Sequence, residues 1–147
     1  MAEDDPHEKF VRWQSITREQ LSHANNLVLG LAGAALGFEI SLSLNDKLAL
    51  DTCWQRWALV FSLASLAASI LFALATEMTR LTDFRLTTRT VKLRWKGNLQ
   101  EADRLSECTD KLGDTTWALF KAQIASFSLG IVMVGAAIGP LIISKIF

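Results

Sequence analysis

Two runs of this chain carry no charged residue and are each long enough to cross a membrane. Trp57 to Ala75 reads WALVFSLASLAASILFALA, and Ala122 to Ser144 reads AQIASFSLGIVMVGAAIGPLIIS. A hydrocarbon core of about 30 Å is crossed by about 20 apolar residues in a helix. A third run, Leu27 to Leu44 (LVLGLAGAALGFEISLSL), is marginal in length and holds one acid, Glu39. The expected fold is an all-α membrane protein with three transmembrane helices and a cytoplasmic helical hairpin extending the second and third. The expected segments are an N-terminal cytoplasmic helix over 1–26, spans over 27–44 and 57–76, and an outer loop over 45–56. A hairpin over 77–116 follows, and then a third span with the C-terminus over 117–147.

The chain of 147 residues is long enough for one domain. Its 15 basic and 15 acidic residues balance, which argues against direct nucleic-acid binding. The N-terminus, MAEDDPHEKF, is polar and acidic with no apolar core, so it does not read as a cleaved secretory signal. The first span is expected to act as its own insertion signal. Two cysteines, Cys53 and Cys108, suggest no disulfide framework. His7 and His23 stand alone, and no C-x-x-C or His-rich cluster suggests a metal or cofactor site. Phosphate-binding glycine loops, H-E-x-x-H and G-x-S-x-G are all missing from the sequence. No paired aspartates or Ser–His pair lies within the spans, so no enzyme is expected.

Charge orients the spans. Segment 77–116 carries Arg80, Arg85, Arg89, Lys92, Arg94, Lys96, Arg104 and Lys111, whereas 45–56 carries only Lys47 and Arg56 against Asp46 and Asp51. By the positive-inside rule, 77–116 and the N-terminus are cytoplasmic, and the 45–56 loop and C-terminus are outside. The compartment expected is a bacterial inner membrane. Cys53 and Cys108 then lie on opposite sides and cannot pair. Trp54, Trp57 and Trp117 fall at interfaces where indole rings settle, and Lys121 and Lys145 can snorkel to headgroups.

Segment 77–116 has no proline and one interior break, Gly97-Asn98. Leu74, Met78, Leu81, Phe84, Thr88, Val91 and Trp95 recur at helical spacing before it. Leu99, Ala102, Leu105, Cys108 or Thr109, Leu112 and Thr116 do so after it. That is the pattern of a helical hairpin. Pro6 suits a helix start, and Phe10, Trp13, Ile16 or Thr17, Gln20 and Leu21 suggest a third helix packed on the hairpin. Arg85, Arg89, Lys92, Arg94 and Lys96 are either a solvated face with an inside-positive anchor or a surface for an acidic partner, nucleic acid or anionic lipid headgroups.

Polarity within the spans has a face. On a helical wheel Gly30, Gly33 and Gly37 share one side of the first span, and Gly33-x-x-x-Gly37 allows close helix approach. Glu39 lies nearly opposite, with Ala32, Ala35 and Ser43 near it. If the glycines pack against a helix of the same chain, Glu39 points away from that contact. A carboxylate in hydrocarbon costs at least a few kcal/mol. Glu39 is then protonated, or shallow enough to reach outer water, or covered by a second subunit or placed on a water-filled lumen. In the second span Ala58, Ser62, Ser65, Ser69 and Thr76 share a face, with Ala73 close by, and form either a close-packing surface or a wetted one. The third span carries Gly135-x-x-x-Gly139 and Pro140, with Gln123, Ser126, Gly130 and Ala137 opposite. Two small-residue faces per span exceed what a lone three-helix chain needs, so a homo-oligomer is expected. Glu39, Ser43, Ser62, Ser65 and Ser69 are the candidates for a pore or intersubunit contact. Gly30, Gly33, Gly37, Gly135 and Gly139 are the candidates for helix packing.

The stretch Thr17-Arg-Glu-Gln-Leu-Ser-His-Ala-Asn-Asn-Leu, followed by a Gly/Ala-rich span, resembles small multi-pass bacterial membrane proteins that look like accessory or effector proteins of anti-phage defence. The resemblance covers the first helix and the three-span layout with its hairpin. It implies action on the inner membrane during infection, by a pore, by depolarisation or by anchoring a cytosolic partner. The expected function is a pore-forming or membrane-perturbing homo-oligomer triggered through its cytoplasmic helices. The alternative is a non-conducting scaffold that recruits a soluble enzyme or nucleoprotein through the basic hairpin.

Overall fold

A computed structural model describes residues 6–44 and 52–146. Expectations for 1–5, for the loop over 45–51 and for Phe147 lie outside the described residues. So do the side chains of Lys9, Phe10, Arg12, Trp13, Thr17, Arg18 and Lys145. Three helices make up the rest: α1 (Pro6–Ser43), α2 (Cys53–Trp95) and α3 (Leu99–Ile146). No strand occurs among the described residues. Each helix contains a window long and apolar enough to cross a membrane. At about 1.5 Å per residue, the 43 residues of α2 extend roughly 65 Å, about twice a hydrocarbon core. The apolar windows therefore continue into long helical extensions without a break.

Local chemistry sets the ends. Pro6 occupies the first turn of α1, where a missing N–H costs no helical bond. The Thr52 N–H donates to Gln55 Oε1 at 3.4 Å, which closes the first turn of α2. α2 ends at Trp95, and the chain turns at Gly97, whose φ of 79° only glycine adopts freely. There the Asn98 N–H donates to the Leu93 carbonyl and the Gly97 N–H to the Arg94 carbonyl. This paired closure satisfies the last carbonyls of the helix, and Lys92 and Arg94 lie at its negative end. Asn98 Nδ2 donates to Glu101 Oε2 at 2.9 Å and begins α3. The break expected at Gly97-Asn98 is thus the turn of an α2–α3 pair.

α2 and α3 run antiparallel and pack along most of their lengths, while α1 touches them over a shorter stretch. The buried positions of α2 fall on a seven-residue repeat: Gln55, Ser62, Ser69, Thr76 and Thr90 are all buried, and Asp83 keeps the register half-buried. Those of α3 repeat likewise through Ala102, Thr116, Gln123, Gly130 and Ala137. α1 contributes Asn25, Ala32 and Glu39, again seven apart. A sustained repeat of seven makes straight helices wind left-handedly around each other. The inner positions are small or polar, and the large apolar side chains of the spans point outward. Leu59 and Leu66 are exceptions, Leu66 fully buried beside Gly130.

The apolar stripe of the first hairpin arm does not meet the second arm, which corrects the sequence reading. Leu74, Met78, Leu81, Phe84, Thr88, Val91 and Trp95 are all exposed, Trp95 at 93%. α2 turns its opposite face to α3, with Thr76 and Thr90 buried and Thr87 half-buried. The cause is continuity: the small seam of the span keeps its register into the extension, which leaves the apolar stripe on the other side. The return arm follows expectation in part: Ala102 and Thr116 are buried and Leu105, Thr109 and Leu112 half-buried, but Leu99 beside the turn is exposed.

Of the glycines, Gly130 is the one pressed against another helix. A Cβ there would stand 2.8 Å from Leu66 Cγ and 2.9 Å from Leu66 Cδ2, and Leu66 is too enclosed to yield. Around Gly30, Gly33, Gly37, Gly135 and Gly139 nothing lies within 4 Å of an added Cβ. Gly130→Val is expected to cost about 1–3 kcal/mol through overpacking, whereas Gly33→Val leaves the α2–α3 pair intact. Unfolding in mixed detergent micelles, followed by circular dichroism, checks this; equal losses in both variants would contradict the packing.

Candidate functional site

The largest buried side chains include more polar groups than apolar ones: Gln123, Glu39, Asn25, Thr76, Ser62 and Ser69 beside Leu66. They form two polar nodes along the seam. At the first node all three helices meet. Ser62 Oγ of α2 lies 2.9 Å from the Gly130 carbonyl of α3 and 3.1 Å from Glu39 Oε2 of α1. A serine hydroxyl has one proton, so it donates to one of these oxygens at a time. If Glu39 carries the carboxyl proton and donates it to Ser62 Oγ, Ser62 donates to Gly130 and both contacts are met.

At the second node Asn25 Nδ2 of α1 donates to Glu77 Oε1 of α2 at 2.7 Å. Arg80 donates to the same oxygen at 3.2 Å. Gln123 Nε2 of α3 reaches the Asn25 carbonyl at 3.5 Å, and Ser69 Oγ donates to the Gln123 carbonyl at 3.1 Å. Further along, Thr116 Oγ1 is 3.1 Å from Thr79 Oγ1, a link between α3 and α2. Within these two nodes, buried oxygens without a partner remain at Asn25 Oδ1, Glu39 Oε1 and Gln123 Oε1. Orphaned buried acceptors of this kind are uncommon and costly.

Glu39 is fully buried, and its cover comes from α2 and α3 of its own chain. This corrects the expectation that it is shallow enough to reach outer water, and removes the need for a second subunit to shield it. The wheel geometry explains the outcome: the carboxyl and the glycines are opposed, and the carboxyl side faces inward. Ser62 and Ser69 join Glu39 in the seam, Ser65 is half-buried at its edge, and Ser43 is exposed with its hydroxyl donating back to the Glu39 carbonyl at 2.9 Å. Arg85, Arg89, Lys92, Arg94 and Lys96 are all exposed. Of these, Arg89 lies 4.0 Å from Glu101 and Arg94 3.6 Å from Asp103, exposed ion pairs that contribute little.

The sequence reading missed Asn25 and Glu77. Both lie just beyond the apolar runs, where a polar residue is ordinary, and only their mutual facing marks them. Among the described residues no cluster of three or more His, Cys, Asp or Glu suits a metal ion. Cys53 and Cys108 are both free and exposed. No family model, curated protein or solved structure matches the chain.

Glu39→Gln keeps a side-chain oxygen that can accept from Ser62 Oγ and is expected to stay within about 1 kcal/mol of the parent. Glu39→Ala removes that partner and opens a void, with an expected loss of about 2 kcal/mol or more. The same detergent unfolding measures both. A Gln variant as unstable as the Ala variant would contradict the hydrogen-bond arrangement.

Proposed function

We propose that this chain is a homo-oligomeric effector of a bacterial inner membrane, which opens a polar path along its helix seam when its cytoplasmic helices move. The observation that supports this reading most is the polar interior of a protein whose spans are otherwise apolar. Glu39 and Ser62 on one side of the buried Leu66, and Ser69, Gln123 and Asn25 on the other, line the same seam, and three of their oxygens lack partners in the closed arrangement. Water entering an opened seam would satisfy those oxygens, so the cost of burying them favours opening. α1 is the element suited to move, because its contact with the other two helices is the smaller one.

Oligomer formation has its own support. The faces at Gly30, Gly33, Gly37, Gly135 and Gly139 have open space above them, and small residues let helices of another copy approach closely. The basic residues between Arg80 and Lys96 support an orientation with the α2–α3 turn and the start of α1 in the cytoplasm and the C-terminus outside. The resemblance at Thr17–Leu27 points to phage infection as the trigger. No catalysis, cofactor or direct nucleic-acid contact enters this reading. A second reading, a scaffold for a cytosolic protein, draws on the exposed Phe84 and Trp95 set among the exposed Arg85, Lys92 and Lys96. Such an apolar and cationic surface suits an acidic protein partner.

Potassium efflux from liposomes separates the readings. The pore reading expects efflux from the parent and an at least tenfold slower rate for Glu39→Leu combined with Gln123→Leu, with insertion unchanged. Efflux equal in parent and variant would sink it. The scaffold reading expects tight liposomes and a co-purifying host protein that Arg89→Glu with Lys92→Glu releases. A chain that always purifies alone from its host would sink that one.

A further inference from the structure

Where the apolar part of the bundle meets its first charged residues, the three helices enclose a groove of about 380 Å³. Its lip is apolar: Leu81, Phe84 and Trp117 line it and are 65%, 69% and 47% exposed. Its inner wall is ionic and carries Glu77, Arg80 and Asp83. Arg80 is committed to Glu77 at 3.2 Å, and Glu77 also accepts from Asn25. Asp83 is different. Its Oδ1 is buried and has no hydrogen-bond partner among the described residues. Gly113 forms part of the α3 wall with nothing within 4 Å of an added Cβ, so the space is open.

The wall thus holds two carboxylates and one guanidinium, an excess of one negative charge, and Asp83 makes no ion pair among the described residues. Asp83 is half-buried, and with Oδ1 enclosed its carboxylate meets a ligand through the other oxygen. The apolar lip belongs to residues that continue the outward face of the span. A ligand that fits both must be an amphiphile whose head is a hydrogen-bonding cation. Phosphatidylethanolamine has that chemistry: a primary ammonium with three N–H donors on a lipid with apolar chains. An anionic head would meet the unpaired carboxylate, and a trimethylated ammonium has no N–H to give it.

We infer that this groove is a binding site for an aminophospholipid, with the ammonium donating to Asp83 and the chains lying against Leu81, Phe84 and Trp117. The inference requires the helices to sit in lipid but does not depend on the pore reading, since a scaffold would bind the same lipid.

Native mass spectrometry of the full chain, released from nanodiscs of equal parts phosphatidylethanolamine, phosphatidylcholine and phosphatidylglycerol, tests it. The expected result is retention of phosphatidylethanolamine at least fivefold over each of the others. Asp83→Asn keeps the shape and is expected to abolish the preference over phosphatidylcholine. Gly113→Leu fills the groove and is expected to lower total retained lipid, which provides a second test if the Asn variant does not fold. Equal retention of all three lipids, a preference for phosphatidylglycerol, or an undiminished preference in both variants would overturn the site.

Discussion

Hydrocarbon gives a polar side chain nothing to bond, so in this bundle the polar groups of the spans turn toward one another. The hydroxyl of Ser62 is where this constraint acts on all three helices at once. It bridges a backbone carbonyl of α3 and a carboxyl of α1 from a position on α2. The individual bonds are weak. Interhelical hydrogen bonds in membranes average about 0.6 kcal/mol, because the separated helices find other partners. The few that cross between helices here fix register more than they supply stability. Close packing of small residues supplies the larger share, as the contact between Leu66 and Gly130 illustrates.

That division gives the helices different standing. α2 and α3 share a turn closed by two backbone hydrogen bonds at Gly97 and Asn98, and a small-residue seam that runs from Ala58–Ala137 to Thr90–Ala102. α1 is held mainly by two polar nodes, Glu39 on Ser62 and Asn25 on Glu77. A helix docked through polar groups, rather than a broad packed face, can leave without exposing large apolar area to water. The same nodes that orient α1 therefore make it the natural moving part.

Much of the fold was legible in the sequence. Apolar runs marked the three helices, and Gly97-Asn98 marked the turn, because only glycine takes the positive φ found there. The inward face of α2 was legible as well: Ala58, Ser62, Ser69, Ala73 and Thr76 are buried. In α3 it is Gln123, Gly130 and Ala137 that are buried, whereas the sequence offered the Gly135 and Gly139 face equally for packing. The face that α1 turns inward was not legible, since Gly30, Gly33 and Gly37 offer as good a packing surface as the side bearing Glu39. The stripe from Leu74 to Trp95 misled for a related reason. Regular apolar spacing identifies a helix, but it does not say whether the apolar side faces a neighbouring helix or the surroundings. In a bundle with a polar seam the usual rule is reversed.

The central claim is that Glu39 is held by Ser62 of its own chain. A double-mutant cycle between Glu39→Ala and Ser62→Ala, measured by detergent unfolding at two protein concentrations a hundredfold apart, tests it most directly. An intrachain contact gives a coupling of about 1 kcal/mol that does not change with concentration. A coupling of zero, or one that grows with concentration, would place the carboxyl against something other than its own second helix and contradict the account.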